Sequence, residues 1–134
     1  LIVYTQDKGG SRREFTSNGM KKQDMPLAVL INGSSASASE IFAGAIQDYG
    51  LGTLVGTTTY GKGIVQSLIP LSDGSAVKTT TAKYYTPKGR CIHGTGIEPD
   101  VEVVLAEELQ QQAVISHQED NQLQKAVEIV KDME

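Results

Sequence analysis

The 134-residue sequence has no tryptophan, two phenylalanines, two histidines, four prolines and one cysteine. With Cys91 alone there is no intrachain disulfide framework and no cysteine spacing for a metal, and cysteine usage is silent on compartment. His93 and His117 are too few and too scattered for a metal site, so neither a metal nor another cofactor is expected. No run approaches the roughly 20 apolar residues of a membrane-spanning helix. A basic, apolar, small-residue signal pattern is missing from the start as well. There is no Lys/Arg-rich block, and the net charge is −4 with a pI near 5.2, so no positive face is available to neutralise phosphates and nucleic acid is not expected as a partner. What remains, 39% hydrophobic and 21% charged, suits one soluble globular domain with one core. The chain opens directly on the strand-like Leu1-Ile2-Val3-Tyr4, as a piece excised from a longer protein would, so the missing signal says little about location.

The chain is organised around Pro26 to Tyr49. Leu27 to Ile31 is a nearly unbroken apolar run with β-branched members, too short for a helix and stopped by Gly33, so it is expected to be a buried central strand. A turn of very small residues follows. Ile41, Phe42, Ala45, Ile46 and Tyr49 then recur at helical spacing, and Gly50 stands where a left-handed cap ends a helix of about three turns. A strand, tight turn and helix leave unpaired N–H groups at the helix start, where the peptide dipoles add about half a positive charge. A serine there has donors ready for a developing oxyanion, and Ser35, Ser37 and Ser39 compete for the place. The plainer reading makes Ser37 an N-cap and Glu40 its capping-box partner, with no chemistry implied.

Leu1 to Thr5 reads as a strand, and the polar, locally basic Gln6 to Asp24 reads as a solvated hairpin or long loop. Gly52 to Val55 reads as another strand. Gly56-Thr57-Thr58-Thr59-Tyr60-Gly61-Lys62-Gly63 matches most of a phosphate-binding loop, yet Gly63 takes the place of the Mg²⁺-binding Ser or Thr. The residues after it favour a strand over the required helix, so nucleotide binding is set aside. Ile64 to Pro70 and Ala76 to Tyr85 flank a turn signal and are expected to form a hairpin. Cys91 to Val104 is expected to be irregular to extended, with its ending, Gly96 to Val101, pinned back onto the domain. A helix is expected over Leu105 to His117, and an amphipathic one from about Asp120 onward.

Taken together, INGSSASASEIFAGAIQD, VGTTTYGKGIVQS, LSDGSAVKTTTAKYYTPKGR and GTGIEPD resemble the carboxy-terminal processing peptidases, or tail-specific proteases, over roughly Pro26 to Val103. The resemblance implies an α/β, crotonase- or Clp-protease-like core of β-β-α units, here a partial domain closed by a C-terminal helix. Residues 1–134 would be the C-terminal part of the catalytic domain, without the PDZ domain, the helical region and the upstream strand that family members carry. It also implies a serine endopeptidase working by a Ser-Lys dyad, with Ser37 as nucleophile, Lys62 as general base and Gln66 fixing the lysine. The Ala38 backbone N–H would be one oxyanion donor, its partner lying outside Leu1 to Glu134. Implied partners are proteins or peptides with accessible C-termini, the implied setting is extracytoplasmic, and a homo-oligomer is compatible with the resemblance. A catalytically silent binding or assembly module of the same fold is the alternative.

The chemistry explains the residue types. A serine hydroxyl becomes a good nucleophile only when a neighbouring base takes its proton. Free lysine, with a pKa of about 10.4, is protonated at neutral pH, and burial disfavours that charged form. Lys62 is therefore expected to be buried and uncharged. In an ideal strand, residues 62 and 66 lie roughly 13 Å apart at ~3.3 Å per residue, so a bend or bulge is required between lysine and glutamine. Glu40 is read as a capping or positioning residue. His93, the residue a Ser-His mechanism would want, sits in a glycine-rich segment without an orienting acid at recognisable spacing and is set aside.

Overall fold

A computed structural model describes residues 1–19 and 24–133. Strands β1 (Val3–Asp7), β2 (Arg12–Phe15), β5 (Ile64–Pro70) and β6 (Ala76–Tyr85) form an antiparallel sheet in the order β2-β1-β6-β5. Strands β3 (Ala28–Ile31), β4 (Thr53–Gly56) and β7 (Val101–Glu102) form a parallel sheet in the order β3-β4-β7. Helix α1 (Ala38–Tyr49) is the crossover from β3 to β4, the connection that parallel neighbours need, and α2 (Asn121–Lys131) lies near β3 and β4. Lys21 and Lys22, part of the expected basic loop, lie outside the described residues.

Strongly local signals fold as expected. The β5–β6 hairpin has both bounds where the turn residues place them. Gly50 caps α1 in the left-handed conformation, at φ 62° and ψ 36°. The Asp120 carboxylate accepts from the Gln122 and Leu123 N–H groups, fixing the start of α2. The segment before β7 is pinned as expected, with the Asp100 N–H donating to Leu54 O (2.9 Å), and just past β7 the Val103 N–H donates to Gly56 O (2.8 Å).

Three expectations are corrected. The first concerns β3, which among the described residues lies at the edge of its sheet with Leu30 43% exposed; the middle strand is β4, whose Leu54 and Val55 are fully buried. The second concerns the apolar positions of α1: Ile41 packs against the core, but the fully buried face carries Glu40, Ala43, Gly44 and Asp48, while Phe42 and Tyr49 are each 52% exposed. Small residues face inward because the neighbouring segment is so close: a Cβ at Gly44 would stand 2.8 Å from Thr86 Cγ2. The core under this face is Ile31, Ala43, Leu54, Ile92 and Ile97. The third is the helix over Leu105 to His117, which shrinks to a 3₁₀ turn at Glu107–Leu109. That segment buries only Leu109, too little apolar surface to hold a longer helix.

The far end of α1 is tied down by charge. Asp48, with its side chain 2% exposed, pairs with Arg90 and accepts the Lys88 N–H at 2.7 Å. Arg90 Nη1 also donates to Gln47 Oε1 (2.8 Å), and Gln47 Nε2 to Asp100 Oδ1 (2.8 Å). Burial alone would raise the Asp48 pKa, but hydrogen bonds from Thr86, Lys88 and Arg90, together with the Arg90 charge, outweigh it and hold the carboxyl below its ordinary 3.8. Its contribution to stability is thus fully present above that value and is lost as pH falls through the lower folded-state value. Asp48→Ala is expected to cost about 1 to 3 kcal/mol in urea unfolding at neutral pH, because it takes the acceptor from the Lys88 N–H and the Thr86 hydroxyl, while Arg90, half-exposed, is left to solvent. The variant should also lose less stability between pH 5 and 3 than the parent, on the order of a kcal/mol; an unchanged acid limb would show that the pair contributes nothing.

Candidate active site

The turn between β3 and α1 is closed by its own polar groups. Ser35 N–H donates to Asn32 O (2.8 Å), Ser34 N–H to Asn32 Oδ1 (2.9 Å), and Asn32 N–H to Ser35 Oγ (3.1 Å). The Ser35 hydroxyl is thereby engaged in the turn, and Ser39 lies inside the first turn of the helix. Ser37 is different. At φ 57° and ψ −113° it is the only non-glycine with positive φ among the described residues. Such a conformation costs on the order of 1–3 kcal/mol and persists only where its surroundings impose it. It is the logic of a nucleophile elbow, in which a sharp strand-to-helix turn presents the serine outward, and Ser37 is exposed. The Ala38 N–H, first of the helix, makes no backbone hydrogen bond among the described residues and is free to serve an anion.

What imposes the turn is Glu40. Its side chain is fully buried, and its two carboxylate oxygens receive donors only. Oε1 accepts from Thr59 Oγ1 (2.6 Å) and from the Gly61 N–H (2.6 Å). Oε2 accepts from the Ser37 N–H and the Lys62 N–H, both at 2.9 Å. Two nitrogens bonded to one oxygen lie no further apart than twice that length, so the backbones of Ser37 and Lys62 are held side by side. The lysine turn rests on the segment after Cys91: Gly94 N–H donates to Gly61 O (3.0 Å), and a Cβ at Gly63 would stand 2.5 Å from His93 N. Gly63 therefore permits a contact that no other residue would.

The expected burial of Lys62 is not found, for its side chain is exposed. The turn is anchored through its backbone N–H, which faces the buried carboxylate, and none of the described residues covers the side chain beyond. Gln66 is exposed too, and no hydrogen bond links Ser37 Oγ, Lys62 Nζ and the Gln66 amide. Lys62 precedes β5, so the ideal-strand spacing does not apply. A bulge does occur beside Gln66, but in the partner strand: Val65 pairs with Ala82 and Gln66 with Thr80, which leaves Thr81 unpaired. His93 is exposed, and its backbone packs against Gly63.

Sequence reasoning read Glu40 as a capping or positioning residue without naming what it positions, and gave Thr59 no role. The capping spacing of Ser37 and Glu40 was the visible signal for the first. Nothing marked the donors, which arrive from residues 59–62.

The sequence profile of Peptidase family S41 matches residues 1–103. The chain is 47% identical over 129 residues to the carboxyl-terminal-processing protease of Synechocystis sp., a match covering 96% of this chain and 30% of that protein. It is 56% identical over 80 residues to the carboxy-terminal-processing protease of Bartonella bacilliformis, covering 60% of this chain and 18% of that protein. A solved photosystem II D1 C-terminal processing protease superposes with a TM-score of 0.73 at 41% identity, over 77% of this chain and 27% of that one. The tricorn protease, at 20% identity and a TM-score of 0.58 over 92% of this chain and 13% of that one, shares the fold alone. These neighbours bear out the α/β, Clp-protease-like architecture. The chain spans about 30% or less of the length of these relatives. Matched over most of its length by the profile, and nearly half identical to a processing protease, the chain belongs to Peptidase family S41.

Proposed function

We propose that this chain is the C-terminal part of the catalytic domain of a serine endopeptidase that cuts proteins near their C-termini, with Ser37 as nucleophile and Lys62 as general base. The observation that carries the reading is the strained Ser37, held beside Lys62 by one buried carboxylate at the start of a helix. In this reading Lys62 takes the Ser37 proton during attack and returns it to the leaving amine, Gln66 steadies the lysine, and the Ala38 N–H stabilises the oxyanion. The substrates are proteins with accessible C-termini and the setting is extracytoplasmic, as the resemblance implies. No helix of the described residues is long and apolar enough to cross a membrane.

A fluorophosphonate probe should label the intact protein at Ser37, as peptide mapping by mass spectrometry would show, and cleavage products should map near substrate C-termini. Labelling elsewhere, or none, overturns the reading. One observation favours a second reading, a silent binding module: Lys62 is exposed and not bonded to Ser37. An unlabelled Ser37 in the intact protein would decide for it.

The second oxyanion donor is taken to lie outside these residues. The 134-residue chain alone should then be slower than the intact protein by at least about 10²–10³ in kcat, the effect of one missing donor. Equal rates would place both donors within it.

A further inference from the structure

We propose that Thr59 is a positioning residue of this site, through which the Gly94–Ile97 segment sets where Lys62 stands; the inference rests on the Ser-Lys reading above. Thr59 is buried three residues before Lys62. Its Oγ1 donates to Glu40 Oε1 at 2.6 Å and accepts the Ile97 N–H at 2.8 Å, while its own N–H donates to Ile97 O at 3.1 Å. A hydroxyl has one proton to give. Since the Ile97 N–H needs a lone pair and a carboxylate can only accept, the direction of that proton is fixed toward Glu40.

The contact is close enough to transmit position. Gly96, at φ 71°, leaves no room for a side chain, because a Cβ there would stand 2.5 Å from Thr59 O. Ile97 is itself fully buried in the core beneath α1. A path of short bonds therefore runs from the core through Ile97 and Thr59 to Glu40. The other oxygen of that carboxylate holds the Ser37 and Lys62 backbones. If Thr59 releases Oε1, the carboxylate keeps only the Gly61 N–H on that side and can tilt, and both ends of the dyad move with it. Thr59 touches no reacting atom in this account; it acts through Glu40.

The test compares Thr59→Val, which keeps the shape and removes the hydroxyl, with Thr59→Ser, which keeps the hydroxyl. Both are made in the intact protein and assayed well below its melting temperature. Thr59→Val is expected to lower kcat by about a hundredfold, the scale of a small misplacement of a catalytic group. KM should stay within about twofold, since the placement of nucleophile and base is disturbed and not the ground-state binding of substrate. Thr59→Ser should recover kcat to within about threefold of the parent. A Thr59→Val variant with parental kcat, even at a lowered melting temperature, reduces Thr59 to a structural residue and overturns the proposal. A Thr59→Ser variant as slow as Thr59→Val overturns it as well, because packing of the methyl would then be the cause. If Thr59→Val fails to fold, Thr59→Cys, similar in size with a weak donor, takes its place under the same criteria. Fluorophosphonate labelling of Ser37 in the parent separates the two failures: without it the Ser-Lys reading falls and carries this inference with it, whereas labelling alongside an unaffected Thr59→Val variant removes this inference alone.

Discussion

Ser37→Ala in the intact protein is expected to lower kcat by about five to six orders of magnitude, the loss seen when the nucleophile of a serine protease is removed. Stability should hardly change. Alanine and serine carry the same penalty at φ 57°, and the bond from residue 37 to Glu40 is made by the backbone N–H, which the substitution leaves in place. A large kinetic loss on an intact fold is therefore a chemical loss. Lys62→Ala should be comparably slow, because its tie to Glu40 is also through the backbone and only the amine is removed. The double variant should be no slower than either single one, since nucleophile and base act as a unit. Measured kcat values with matched melting curves decide the matter. Ser37→Ala retaining more than about one part in a hundred of the parental rate would place the nucleophile elsewhere. A Lys62→Ala variant at full rate would show that the exposed amine is an ordinary surface lysine.

What the sequence made legible follows from how local the cause is. The β5–β6 hairpin, the Gly50 cap and the Asp120 start of α2 each depend on residues a few positions apart, and each is present. The position of β3 in its sheet depends on which strands arrive later, and an apolar run cannot tell an edge from a centre when one face of it is open. The inward face of α1 was obscured for a related reason. Close approach of Thr86 and Ile97 selects Ala43 and Gly44, whereas apolar periodicity points to Phe42 and Tyr49. At the site, residue types alone left three serines in contention, and only the ordered motifs singled out Ser37 and Lys62. Burial of Lys62 was inferred from what the chemistry needs, and the fold of these residues supplies only the anchoring of its backbone.

Glu40→Gln is the second substitution with a large expected effect, and the hydrogen-bond inventory gives its direction. A carboxylate can accept from all four neighbours, whereas an amide presents one oxygen and one NH₂. If the NH₂ took the place of Oε2, the Ser37 and Lys62 N–H groups would both face a donor. The side chain will therefore turn the NH₂ toward Thr59 and Gly61, where the Thr59 hydroxyl can accept on its second lone pair only by turning its proton away from its former acceptor, and the Gly61 N–H cannot accept at all. One buried backbone donor is then unpaired, at a cost of about 1–3 kcal/mol. Gly61 is pushed from the carboxamide, and Lys62, the next residue, moves with it. We expect kcat to fall by about 10² with KM little changed. Glu40→Ala, which removes all four acceptors, should be slower and less stable still, approaching the ~5–15 kcal/mol that holds a domain together. The pair separates two accounts of Glu40. A helix cap alone would lose about 1 kcal/mol in either variant and keep its rate. A carboxylate that holds nucleophile and base in register must lose rate in Glu40→Gln at temperatures well below the variant's melting point, and parental kcat in that variant would reduce Glu40 to a cap.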